Sequence, residues 1–246
     1  MNERFEKACK AVIGEGRRGD GIGTLGEKTL HAVLKDYYEP DRTKHEIKIG
    51  TFYADIASGD HITEIQTGTF YALRKKIDFF LNSSYKVTVV YPVARIKHVC
   101  WLDPSTGEEV SRKRSPKKGS AYDALPELFY IKEWLSNPDL EIKIVMLEID
   151  EYKFLDGWGK NKKNNATKFE RIPIDIFDEI TLCGARDYMM LLPPSLESPF
   201  TPHDLSKETK LNLRKSYAAV KVFAQLGCVE PCGKLNNRAA YRIKDY

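Results

Sequence analysis

Apolar positions recur at two different spacings along the chain. Residues 2–13 carry Phe5, Ala8, Cys9, Val12 and Ile13 at helical intervals. From 25 to 38, Leu30, Val33, Leu34 and Tyr37 fall on one helical stripe, because side chains three and four apart share a helix face. Three short runs follow, 45–49, 52–57 and 61–66, rich in the β-branched and aromatic residues that strands favour. The segment 69–81 returns to helical spacing, with Phe70, Leu73, Ile77 and Phe80 inward. KVTVVYPV at 86–93 is continuously apolar, as expected of a strand covered on both faces. The order is helix, three strands, helix, strand.

The pattern predicts a further strand at 96–102 forming a hairpin with the preceding one. A polar loop then runs from 103 to about 124, with a helix at 125–135 and a strand at 141–149. Residues 152–171 read as polar and mobile, and 172–192 as helical. Pro193, Pro194 and Pro199 mark a linker, since proline interrupts regular elements. Beyond it come a helix from Thr201, a second from Thr209 to Leu226 with Leu213, Tyr217, Val220, Phe223 and Ala224 inward, a Gly227 cap, and two short strands. Helix, helix, hairpin is the layout of a winged helix.

The formal net charge of +4 is unevenly spread. Arg112, Lys113, Arg114, Lys117 and Lys118 stand together without an acid, and the stretch after Pro199 carries Arg214, Lys215, Lys221, Lys234 and Arg238. Concentrated positive surfaces on a near-neutral body suit phosphate partners, although a solvated loop would show the same bases. Five scattered cysteines look like reduced thiols. The start MNERFEKACK does not read as a signal peptide, and no apolar run nears the roughly 18 residues of a membrane span. The expectation is a cytoplasmic protein without a membrane partner.

Candidate chemistry concentrates at 45–82. Asp55 and Glu64 lie on consecutive predicted strands joined at Ser58-Gly59-Asp60, and Gln66 follows Glu64 by two residues, on the same strand face. Two carboxylates and the backbone carbonyl of Ile65 would offer the hard oxygen donors that Mg²⁺ takes, with Mn²⁺ able to substitute. The glycines at 21, 23 and 26 spell a dinucleotide fingerprint but lack the buried strand that must precede one. They read instead as a turn into a helix, with Thr24 as cap and Glu27 closing a capping box. Cys228 and Cys232 have no second ligand pair, and the five histidines show no zinc spacing.

The element order, with Asp on the second strand and Glu-x-Gln on the third, resembles the PD-(D/E)XK superfamily of restriction-endonuclease-like nucleases over roughly residues 24–93. The resemblance implies an α/β fold with an αβββαβ core and a mixed central sheet. It implies that Asp55 and Glu64 are metal ligands and that Gln66 stands where this superfamily usually has lysine. Glu27 would add an acid from the first core helix. An amide can orient water but supplies no cation, so the positive charge would come from Arg74, Lys75 or Lys76 on the next helix, with Lys75 placed slightly ahead. The expectation is a nuclease domain over 1–192 and a winged helix over 193–246, together a Mg²⁺-dependent DNA endonuclease. In the winged helix, Arg214, Lys215 and Lys221 would meet the groove, and Lys234 and Arg238 would sit on the wing. A homodimer is one way for a single site to cut both strands. The alternative is a DNA-binding or regulatory protein that keeps the fold and cuts nothing.

Overall fold

The computed structural model describes residues 2–16, 28–154 and 167–244. Its elements in chain order are α1 (Glu3–Gly16), α2 (Thr29–Tyr38), β1 (His45–Ile49), β2 (Phe52–Ser58), β3 (His61–Ile65), α3 (Arg74–Asn82), β4 (Lys86–Leu102) and β5 (Glu109–Arg114). Then come α4 (Leu125–Leu128), β6 (Leu140–Phe154), β7 (Thr167–Leu182), α5 (Ala185–Met189), α6 (Pro202–Thr209), α7 (Leu213–Gln225), β8 (Val229–Leu235) and β9 (Arg238–Ile243). The class is α/β. Hydrogen bonding joins the strands in the order β1-β2-β3-β4-β6-β7, with β5 on β4. The sheet is mixed: β2 and β3 are antiparallel, whereas β3 and β4 run parallel, Glu64 facing Val89 and Ile65 facing Val90. Among the described residues no helix is long and apolar enough to cross a membrane.

The chain forms two compact units. One comprises 1–47, 92–120 and 145–178; the other comprises 48–91, 121–144 and 179–246. In the first, α1 lies against α2, burying Phe5, Ala8 and Val12 on one side and Leu30, Val33 and Leu34 on the other. Phe5 and Tyr37 meet edge to face at 5.5 Å. In the second, Ile62, Phe70, Ile77, Phe80, Val87 and Val89 form the interior, each essentially inaccessible to solvent. Also in this unit, α7 packs on α4 and α6.

Several expectations are corrected. The strands at 86–93 and 96–102 are one strand, β4. Pro92, which lacks a donor N–H, falls between the stretch paired with β3 (86–90) and the stretch paired with β5 (98–102). The polar loop contains a strand, β5, because an open β4 edge satisfies its backbone whatever its side chains are. The helix at 125–135 is only α4 flanked by 3₁₀ turns. The segment after 172 is strand rather than helix, β7 extending from Thr167 to Leu182. On α7 the buried face is Ser216, Ala219, Val220, Val222 and Phe223, so Leu213 and Tyr217 point outward. The glycine fingerprint, Thr24 and Glu27 lie outside the described residues.

Candidate active site

The β2–β3 hairpin turns at Gly59, whose φ of +62° suits a residue without a Cβ. Its ladder pairs Ser58 with His61, Ala57 with Ile62 and Ile56 with Thr63. One step further along the same register Asp55 stands opposite Glu64, and there the strands exchange carboxylates. The Ile65 N–H donates to Asp55 Oδ2 at 2.7 Å, and the Asp55 N–H donates to Glu64 Oε1 at 3.3 Å. The two acids are therefore wedged side by side between the strands. Ala54, Ile56, Ile62 and Ile65 bury the surrounding positions.

Charge in such a place is costly. Glu64 is 1% exposed, and burial, then the neighbouring Asp55 carboxylate, push its pKa up to about 7. Lys76 opposes this shift, its Nζ reaching Glu64 Oε2 at 2.5 Å from α3. Lys75, placed ahead of it from sequence, is exposed to solvent. Phe70, Leu73, Ile77 and Phe80 form the buried side of this stretch, as the spacing predicts, and Lys76 rather than Lys75 lies partly buried beside it.

Gln66 follows the end of β3. Its N–H donates to Val90 O at 2.8 Å, and its side-chain Nε2 donates to Thr69 O at 2.5 Å. The amide thus ties down the turn into α3. The structure brings Asp55, Glu64 and the Ile65 main chain together and adds Lys76, which sequence reasoning held level with Arg74 and behind Lys75. Among the described residues, two carboxylates and the Lys76 ammonium meet in this buried place, and the carboxylates are hard oxygen donors. Such oxygens, with the Ile65 carbonyl, could hold a Mg²⁺ or Mn²⁺ ion. Among the described residues no three His, Cys, Asp or Glu side chains cluster so as to hold a metal by themselves.

The basic segments divide. Arg112 is engaged: its guanidinium bonds Asp150 at 2.9–3.2 Å and lies 3.1 Å from His98 Nδ1. Lys113, Arg114, Lys117 and Lys118 are exposed. So are Arg214, Lys215, Lys221, Lys234 and Arg238, the last two flanking the Asn236-Asn237 turn of the β8–β9 hairpin. A second charged centre had no signal in the sequence. Glu151, 2% exposed, is ringed by Lys97, Lys153, Lys168 and Arg171 at 3.1–3.8 Å. Burial pushes its carboxyl up, but Lys97 and Lys153 outweigh that and bring it to about 2.

Against known proteins, the model of the family described as "Domain of unknown function (DUF8091)" matches residues 28–183, more than half of the chain and the whole of the Asp55–Glu64–Lys76 site. An uncharacterized protein of Treponema pallidum (strain Nichols) is 26% identical over 222 residues, which is 90% of this chain and 87% of that one. No solved structure matches.

Proposed function

The chain belongs to the family described as "Domain of unknown function (DUF8091)", and we propose that it is a Mg²⁺-dependent nuclease hydrolysing DNA phosphodiester bonds. The observation that carries the reading is the buried Asp55–Glu64 pair, in which burial, then the neighbouring Asp55 carboxylate, push the Glu64 pKa up to about 7. A carboxylate with a perturbed pKa, paired with a second carboxylate and a positioned lysine, is what metal-assisted hydrolysis uses. Asp55, Glu64 and the Ile65 carbonyl would hold the ion, which lowers the pKa of a bound water and offsets charge on the phosphate. Lys76 steadies the ionised Glu64 and stands where a cation can meet negative charge developing in the transition state. Gln66 fixes the strand-to-helix turn.

The α2-β1-β2-β3-α3-β4 order and the mixed sheet support a restriction-endonuclease-like core, which this reading assigns to residues 1–192. The α6-α7-β8-β9 order supports a winged helix over 193–246. The exposed bases on α7 and the β8–β9 hairpin, with Lys113, Arg114, Lys117 and Lys118, would contact backbone phosphates, so affinity should fall with salt. The reading places the enzyme in the cytoplasm.

Incubation with plasmid and single-stranded DNA in Mg²⁺, Mn²⁺ or EDTA tests it. Cutting should need the ion and vanish in Asp55→Ala. Cutting that survives Asp55→Ala would sink the site assignment. Salt-sensitive binding without any metal-dependent cutting would favour the alternative, a nuclease-like scaffold that only binds.

A further inference from the structure

Two 3₁₀ turns in the second unit push aromatic rings outward. Phe70–Leu73 presents Tyr71, 63% exposed, and Phe129–Ile131 presents Tyr130, 39% exposed. The rings meet edge to face at 5.9 Å. Beyond Tyr130 lies Phe129, its ring 6.0 Å away, with Lys221 Nζ of α7 at 5.7 Å from the Phe129 centroid. In the other direction the Arg74 guanidinium lies 5.9 Å from the Tyr71 ring and 5.8 Å from that of Trp134. Trp134, Arg74, Tyr71, Tyr130, Phe129 and Lys221 thus form one row of rings and cations.

The row is built in place. The Phe70 N–H donates to Glu127 Oε2 at 3.1 Å, joining the first turn to α4, which leads directly into the second. Thr69 accepts from the Gln66 amide through its carbonyl and from the Tyr71 N–H through its hydroxyl. The turn that displays Tyr71 is therefore fastened to the end of the strand that carries Glu64. From the same turn, α3 continues to Lys76 on that carboxylate.

We infer that this row is a stacking platform for single-stranded nucleic acid, feeding one strand towards Asp55 and Glu64. A duplex hides the faces of its bases, whereas unpaired bases present π surfaces that stack on Tyr, Phe and Trp without regard to sequence. Lys221 over Phe129, and Arg74 over Tyr71 although 3.6 Å from Glu133, add the positive charge that tracks a phosphate backbone. The feeding of the strand rests on the nuclease reading; the binding does not.

The test is fluorescence anisotropy of a labelled oligothymidylate, and of a duplex of equal length, with the full chain in EDTA. The single strand should bind more tightly than the duplex. Tyr71→Ala and Tyr130→Ala should each weaken it by about 5- to 150-fold, the range for a lost base–aromatic stack. Tyr71→Phe should keep the affinity within about twofold, because stacking does not need the hydroxyl. Thermal unfolding of each variant checks that the exposed substitutions leave the fold intact. Wild-type affinity in both folded alanine variants, preference for the duplex, or no binding of the single strand would overturn the inference, the last outcome pointing to a protein partner. Retained binding without metal-dependent cutting by wild type would sink the nuclease reading and leave the platform standing.

Discussion

Replacing Glu64 by glutamine removes an ionisation that the hairpin resists. Burial, then Asp55, lift the Glu64 carboxyl from 4.5 to about 7. At about 1.4 kcal/mol per unit, the difference is roughly 3 kcal/mol. A raised carboxyl pKa means that the folded chain binds the proton more tightly than the unfolded one. The contribution is therefore intact below about pH 4.5, declines as pH rises towards 7, and is gone above it. Glutamine is neutral at every pH, as the protonated acid is, and its amide oxygen can still accept from Lys76. Thermal unfolding by circular dichroism, in EDTA, should show Glu64→Gln more stable than wild type at pH 8.5. For a chain of this size the gain corresponds to roughly 6–12 °C in Tm. At pH 5 it should shrink below about 1 kcal/mol. A variant no more stable than wild type at pH 8.5 would refute the reasoning, because the acid would then not be held against its charge.

Lys76→Met should raise the Glu64 pKa further, moving the acidic limb of any pH–rate profile above 7 and lowering the rate at pH 7 by about 10²-fold; an unchanged profile would contradict the ion pair. Arg112→Gln leaves Asp150, whose side chain is 9% exposed, without its bidentate partner. It should cost on the order of 3 kcal/mol in urea unfolding while the salt dependence of DNA binding stays unchanged. Lys117→Gln with Lys118→Gln should do the reverse, flattening the salt slope by about one unit per lost phosphate contact at unchanged stability. A Cβ on Gly119 would come within 2.5 Å of Ala94 O and 2.9 Å of Val93 Cγ1. Gly119→Ala should therefore lower stability by about 1–3 kcal/mol in the same unfolding assay.

Much of the site was legible because local spacing decides it. Three strands, a turn at Gly59 and the succession Asp55, Glu64, Gln66 depend on period-two alternation and turn chemistry that act over a few residues. Lys76 was less legible, since Arg74, Lys75 and Lys76 are consecutive bases and only the packing of α3 against the hairpin decides which of them reaches Glu64. β7 carries a strand signal within a segment whose overall spacing also fits a helix: Ile172, Ile174, Ile176 and Ile180 sit at even spacings with β-branched side chains, which favours strand. Arg112 with Asp150, and Glu151 with Lys97 and Lys168, come from far-apart segments brought together by strand pairing. Their charges read along the chain as ordinary solvated surface. The same holds for Tyr71 beside Tyr130, whose meeting depends on Glu127 of α4 bonding the Phe70 N–H.

The most direct test is a crystal structure of the full chain soaked in Mn²⁺ at pH 8, with the ion located by its anomalous scattering. The account predicts one strong peak coordinated by Asp55, Glu64 and the Ile65 carbonyl, and its loss in Asp55→Asn. Saturating Mn²⁺ that leaves the hairpin without a peak would contradict it.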